Sequence, residues 1–263
     1  MITIKNLSVE YTSDDKNRQS KTVLADIGLS LSAGTVNVVI GPSGGGKSTL
    51  MKAVAGLIRP TAGRVELSDD GGSEPVIGFM PQNYGLLPWE TLRENVELAA
   101  KLRLKKAGAS SEAYEDMRKR AEELMRQLGI ETLADRYPAE VSGGQQQRAA
   151  LARMFLLSPD IILMDEPFSA LDELTRGEVR GIFADLCRQS RQNRQSRMTV
   201  LLVTHQVEEA VLLGEKIIVL DGRLKATLDN PYKGQGEDCY TPEKLEFIGK
   251  LRQLLKREGG TSL

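Results

Sequence analysis

Histidine, cysteine and tryptophan are scarce in this sequence: one His, two Cys and one Trp among 263 residues. Cys187 and Cys239 lie far apart and give neither a metal-ligand spacing nor a disulfide framework, which leaves buried or indifferent thiols in a reducing compartment. Charge of one sign is also lacking. With 35 Lys and Arg against 36 Asp and Glu the net charge is −1, so no global basic field points to nucleic acid as a partner. No apolar run approaches the length of a bilayer span, and Met1-Ile2-Thr3-Ile4-Lys5 has no apolar signal region. Any work at a membrane therefore needs a partner that supplies the membrane part. What is present is 40% hydrophobic and 27% charged, enough for a large α/β core or two small lobes and too apolar for a disordered chain.

The strongest local signal is Gly41-Pro42-Ser43-Gly44-Gly45-Gly46-Lys47-Ser48-Thr49, which fits G-x-x-x-x-G-K-[ST]. The apolar run Val36-Asn37-Val38-Val39-Ile40 before it reads as a buried strand, and Leu50-Met51-Lys52-Ala53-Val54-Ala55 after it reads as a helix. Glycines let successive backbone N–H groups turn toward a polyphosphate, and the helix starting near Lys47 adds its positive dipole end. In such a loop Lys47 reaches the β- and γ-phosphates and the Ser48 hydroxyl ligates Mg²⁺. A Gly-rich turn with an incidental Lys is the bland alternative, and the flanking strand and helix patterns count against it.

Upstream, Ile2-Thr3-Ile4-Lys5-Asn6-Leu7-Ser8-Val9 and Ile27-Gly28-Leu29-Ser30-Leu31 alternate like an antiparallel pair joined by a polar loop over residues 12–21. Tyr11 at the end of the first strand is either core padding or a stacking platform for a purine ring. Downstream, residues 64–67 and 76–80 read as strands, separated by a soft loop at 69–73. Residues 92–128 then change to helical segments interrupted at 108–111, a subdomain inserted into the α/β core. Its expected inner face is Leu92, Val96, Ala99, Ala100, Leu102 to Leu104, Ala121, Leu124, Met125 and Leu128.

Three further stretches carry chemistry. Val141-Ser142-Gly143-Gly144-Gln145 opens a helix with bare N–H groups, a second anion site; a plain cap explains Ser142 but has no use for two glycines. Ile161-Ile162-Leu163-Met164-Asp165-Glu166 is a buried parallel strand ending in two carboxylates, of which Asp165 suits the Mg²⁺ shell and Glu166 suits the attacking water. Two acids after a strand are often only a solvated turn, but a phosphate loop elsewhere in the chain gives them a use. Residues 198–203 form another core strand that ends at Thr204-His205, and a lone His there is either structural or aimed at the nucleotide edge. An amphipathic helix is expected at 173–186, a polar arginine-bearing loop at 188–197, a strand and hairpin at 217–227, a loop at 230–236 and a helix from Pro242 to about Arg257.

In this order the motifs resemble the ATP-binding subunit of an ABC transporter. The resemblance runs from residue 1 to about 229 and rests on six elements: the phosphate loop at 41–49, Gln82 as Q-loop, the signature at 141–145, the Walker B strand at 161–166, the D-loop Ser169-Ala170-Leu171-Asp172 and the switch His205. Val141 replaces the usual Leu of the signature, and Gln206 stands where an Asp often follows the switch His. The implied fold is α/β, a P-loop NTPase (RecA-like) core with an N-terminal antiparallel β subdomain and an inserted α-helical signature subdomain. The expected boundaries are 1–90 with 158–229 for the core, 91–157 for the helical subdomain and 230–263 for a partly helical tail.

The resemblance also implies roles. ATP lies between the phosphate loop of one copy, with Tyr11 stacking on adenine, and Ser142, Gly143, Gly144 and Gln145 of a second copy. Ser48, Gln82 and Asp165 serve Mg²⁺, Glu166 acts on the water, His205 meets the γ-phosphate, and Asp172 communicates across the dimer. Residues 83–89 with Arg93-Glu94-Asn95-Val96, and residues 165–172 with Leu174-Thr175-Arg176, are similar to importer ATPases of the nitrate, sulfonate and taurine group. That implies a peripheral subunit on the cytoplasmic face of the inner membrane, working with transmembrane permease subunits and, through them, an external solute-binding protein. An exporting or lipid-moving complex shares every nucleotide motif. A soluble DNA-repair or translation ATPase would carry two cassettes or a coiled-coil insertion, and a regulatory module would have lost Glu166 or His205. Leu86, Leu87 and Trp89 either pack between the lobes or line a groove for a permease helix.

Overall fold

The computed structural model describes residues 1–12, 20–68, 75–169, 171–192, 198–235, 239 and 241–256. In chain order, β1 (Ile2–Thr12), β2 (Ser20–Leu31) and β3 (Val36–Ile40) precede α1 (Lys47–Val54), and β4 (Ala62–Leu67) and β5 (Ile77–Met80) follow. Next come α2 (Leu92–Lys106), α3 (Ser111–Gln127), α4 (Gly143–Leu156), β6 (Ile161–Asp165) and α5 (Glu173–Gln192). The chain continues with β7 (Thr199–Val203), α6 (Val207–Leu213), β8 (Lys216–Asp221), β9 (Arg223–Asp229) and α7 (Pro242–Leu255). These elements group into two units, Met1–Pro75 with Thr199–Leu263, and Val76–Met198.

The first unit holds two sheets. An antiparallel sheet runs β2-β1-β4, with Ile4 paired to Leu29 on one side and Val65 on the other. Its residues Ile2, Ile4, Leu7, Leu24, Ile27 and Leu31 are buried; the alternation changes phase between Ile4 and Leu7 and between Leu24 and Ile27, where the pairing register shifts. In the second sheet β3 lies between β7 and β8, parallel to both, and β9 returns antiparallel on β8. Every residue of β3 and β7 is buried, which is why both read as continuous apolar runs, whereas β9 alternates between half-buried and exposed residues.

The second unit combines the parallel pair β5–β6 with four helices. Helices α2, α3 and α4 pack through Leu92, Val96, Ala100, Met117, Ala121, Leu124, Met125, Leu151 and Phe155. The expected inner face needs a correction at Leu102, which is 60% exposed, and at Arg103, which is exposed as well. The buried residues of this helix end at Ala100, so Leu102 falls in its exposed C-terminal turns. Asn95 and Glu97 are buried instead, the latter paired with Lys101 at 2.7 Å. A second correction falls on the expected loop at 188–197: α5 continues through Gln192. Its last turns consist of Arg, Gln and Ser, which sustain a helix without any apolar period. Of the other expected loops, residues 13–19, 69–73 and 193–197 and the distal part of 230–236 at residue 236 lie outside the described residues, as does Arg257 at the expected end of the last helix.

Candidate nucleotide site

In the first unit β3 delivers the chain into the phosphate loop at Gly41. A Cβ there would stand 1.9 Å from the Leu220 carbonyl oxygen, so only glycine lets β8 pass this close. Gly46, at φ 88°, is gripped the same way: a Cβ would lie 2.5 Å from Leu24 Cδ2 and 2.9 Å from the Val23 carbonyl oxygen. The Gly222 N–H of the β8–β9 turn donates to the Gly45 carbonyl at 2.9 Å. The back of the loop is thus fixed by β2 and β8, while Ser43 and Gly44 at its front are exposed. Helix α1 starts at Lys47 with Gly46 as N-cap, no side-chain cap and no acidic residue in its first turn. Its first N–H groups and positive dipole end are therefore left for an anion.

Lys47 is only 7% exposed, and its Nζ donates to the Gly41 and Pro42 carbonyls, each at 2.9 Å. Pro42 and Thr49 are half-buried and Ser48 is exposed. On the neighbouring strand Val203 pairs with Val39, and the Thr204 N–H donates to the Val39 carbonyl at 3.1 Å. The structure thereby brings exposed His205 to the end of the sheet from which the phosphate loop springs. Tyr11 lies on β1 opposite Lys21 and is 46% exposed, which removes the core-padding reading.

In the second unit Met80 pairs with Met164, so β5 and β6 end side by side. Gln82 and Glu166 follow from these ends and meet: Gln82 Nε2 donates to Glu166 Oε2 at 3.3 Å. Asp165 is buried, and Glu166 is held at φ 51°, a left-handed conformation that non-glycine residues adopt at a cost of about 1–3 kcal/mol. Ser169 Oγ donates back to the Glu166 carbonyl at 3.0 Å. The D-loop continues to exposed Asp172, whose Oδ1 accepts from the Thr175 N–H at 3.0 Å; this bond holds its carboxyl below the usual range. Ala170 lies outside the described residues.

The signature stretch forms a full capping box at the start of α4. Ser142 Oγ accepts from the Gln145 N–H at 3.3 Å, and Gln145 Oε1 accepts from the Ser142 N–H at 2.9 Å. The two glycines separate here. A Cβ on Gly144 would meet Thr175 Cγ2 at 3.0 Å and Leu171 Cδ2 at 3.4 Å, so its smallness is spent on packing. Gly143 has nothing within 4 Å of such a Cβ. Packing does not account for it.

Other residues that position the site are not visible in the motifs. Arg176 donates from Nε to the Phe168 carbonyl at 3.2 Å and from a terminal nitrogen to the Leu171 carbonyl at 2.6 Å, bracing the turn after Glu166. Asn95 accepts from the Leu87 N–H at 2.7 Å and donates to the carbonyls of Leu87, Glu90 and Thr91, each at 3.0 Å. Arg153 on α4 donates to the Gly85 carbonyl at 2.7 Å and to the Tyr84 carbonyl. Between these anchors Trp89 is 68% exposed, which overturns the reading that packs it inside; Leu86 and Leu87 are half-buried.

Comparison with known proteins gives the same family throughout. The ABC transporter family profile matches residues 24–169. A sulfate/thiosulfate import ATP-binding protein of Mesorhizobium japonicum is 35% identical over 97% of this chain and 72% of its own. A taurine import ATP-binding protein of a Jannaschia species is also 35% identical, over 90% of this chain and 85% of its own. Among solved structures, the dimeric post-hydrolysis state of the ATP-binding cassette MJ0796 bound to ADP and Pi has a TM-score of 0.73 and 34% identity. That alignment covers 90% of this chain and all of the cassette.

Proposed function

The chain belongs to the ATP-binding family of ABC transporters, and from that premise we propose that it is the ATP-hydrolysing subunit of an importer for a small anionic solute, in the range of sulfate, taurine, sulfonate or nitrate. The observation that carries hydrolysis is Glu166, fixed in a left-handed conformation at the end of β6 and hydrogen-bonded to Gln82. Glu166 takes a proton from the water that attacks the γ-phosphate, and Gln82 holds the carboxylate in place.

The phosphate loop, residues 41–49, holds the triphosphate through backbone N–H groups, with Lys47 exchanging the Gly41 and Pro42 carbonyls for phosphate oxygens. Tyr11 stacks on the base and His205 donates to the γ-phosphate. Ser48 of the first unit and Gln82 and Asp165 of the second each offer an oxygen donor of the kind Mg²⁺ takes and would hold it, and the ion would neutralise phosphate charge. Gln82 fits that set because its Nε2 is given to Glu166, which leaves the amide oxygen, the acceptor end, outside that bond.

Similarity to a dimeric cassette supports a sandwich of two copies, with Ser142, Gly143, Gly144 and Gln145 of one acting on the ATP of the other and Asp172 linking the two. The division of labour is a nucleotide core of 1–90 and 158–229, a helical subdomain of 91–157 and an appended tail. No helix among the described residues is long and apolar enough to cross a membrane, so permease subunits supply the path, with a solute-binding protein delivering to it from outside. Glu166→Gln tests the reaction. The amide keeps the shape but takes no proton, so hydrolysis should fall by roughly 10²-fold or more while ATP binding persists. Near wild-type turnover in that variant would remove Glu166 from the role.

A further inference from the structure

The segment from Pro81 to Thr91 is irregular backbone carrying the exposed Trp89, yet it is not loose. Two consecutive residues, Tyr84 at φ 61° and Gly85 at φ 60°, are both left-handed. The Tyr84 N–H donates to the Pro81 carbonyl at 2.9 Å and the Gly85 N–H to the Asn83 carbonyl at 2.7 Å. The Tyr84 and Gly85 carbonyls both accept from the two terminal nitrogens of Arg153, one from each. The Tyr84 ring is buried, which pushes its hydroxyl pKa up, and the Arg153 guanidinium is desolvated, which pulls its pKa down.

Arg153 is half-buried, and a partly desolvated guanidinium is ordinarily matched with a carboxylate. Arg153 is matched with carbonyls instead, so its charge is committed to holding main chain. Its position on α4 matters, because the same helix begins at Ser142-Gly143-Gly144. A rigid helix therefore joins the signature to the left-handed turn, and Asn95 carries the tie onward to Leu87, Glu90 and Thr91.

We infer that Arg153 is a positioning residue that makes the Tyr84–Trp89 turn move as one body with the signature helix, so that nucleotide-driven displacement of α4 is delivered to the exposed Trp89. This rests on the reading of α4 as the helix that engages the ATP of a second copy. The bidentate grip is what distinguishes it from simple packing. Two carbonyls held by one planar group resist rotation as well as separation, which a single hydrogen bond does not.

The only tryptophan in the chain is the reporter. In the Glu166→Gln background, adding ATP·Mg²⁺ to the purified chain should change Trp89 emission as the dimer forms. Adding Arg153→Met should leave ATP-dependent dimerisation by sedimentation intact and cut the emission change by about fivefold or more. Arg153→Lys, which returns one point charge to two carbonyls, should fall between the two. An undiminished emission change in a dimerising Arg153→Met protein overturns the inference, as does an unchanged Trp89 signal in a dimerising parent protein. If the methionine variant does not fold, the lysine variant decides: a partial change supports the clamp and a full change overturns it. Failure of the parent to dimerise with ATP·Mg²⁺ is a different result, and it defeats the sandwich itself.

Discussion

Gly143 and Gly144 are adjacent in sequence and read alike, but their surroundings give them different reasons to be glycine. Gly144 faces Thr175 and Leu171, and Gly144→Ala must push a methyl a few tenths of an ångström aside. That crowding offsets the helix propensity that alanine brings, so Gly144→Ala should melt about 1 kcal/mol lower than Gly143→Ala in thermal unfolding. Gly143 faces open space at the first position of α4, where alanine is the better helix former by up to about 1 kcal/mol. Gly143→Ala should therefore melt no lower than wild type and yet weaken ATP-dependent association if, as proposed, this helix start meets the ATP of a second copy. A Gly143→Ala protein that dimerises normally would make the glycine incidental. The same contrast separates what could be read from the sequence and what could not. The phosphate loop was legible because backbone geometry forces glycine at fixed offsets, and Gly41 and Gly46 show that constraint as near-contacts with Leu220 and Leu24. Arg153, Asn95 and Arg176 were not legible, because their partners are main-chain carbonyls and leave no pattern in the side chains.

Among the elements, periodicity located β3, β6 and β7 well because strands covered on both faces are apolar throughout. It failed at the end of α5, where Arg and Gln residues carry helix propensity without an apolar period, and at Leu102, which falls past the last buried residue of α2. Periodicity could not place Trp89, since residues 81–91 follow no period, and an aromatic side chain suits an interior or an interface alike. The exposed ring settles one side of that question and sharpens a prediction. Trp89→Ala should leave the melting temperature and basal ATPase within error of wild type, because little buried area is lost. It should reduce co-purification of the permease, to which an exposed aromatic anchor contributes on the order of 2 kcal/mol. A large drop in melting temperature would return Trp89 to a structural role, and unchanged permease retention would take it out of the interface.

For the whole molecule, the chemistry is distributed along the chain rather than gathered in one segment. The phosphate loop and His205 belong to one unit, and Gln82, Glu166 and the signature helix belong to the other. Uncapped N–H groups at α1 and open space at Gly143 are two features with no internal use, and a nucleotide shared between two copies gives both a ligand. In the proposed sandwich ATP acts as a bridging ligand whose binding free energy favours the closed dimer, and hydrolysis removes it. Sedimentation velocity of the Glu166→Gln protein, with and without saturating ATP·Mg²⁺, tests this most directly. The expected result is a dimer with ATP·Mg²⁺, and a monomer without it or when Lys47→Ala is added. A protein that stays monomeric at saturating ATP·Mg²⁺, while the wild-type chain under the same conditions hydrolyses ATP at full rate as a monomer, would contradict it.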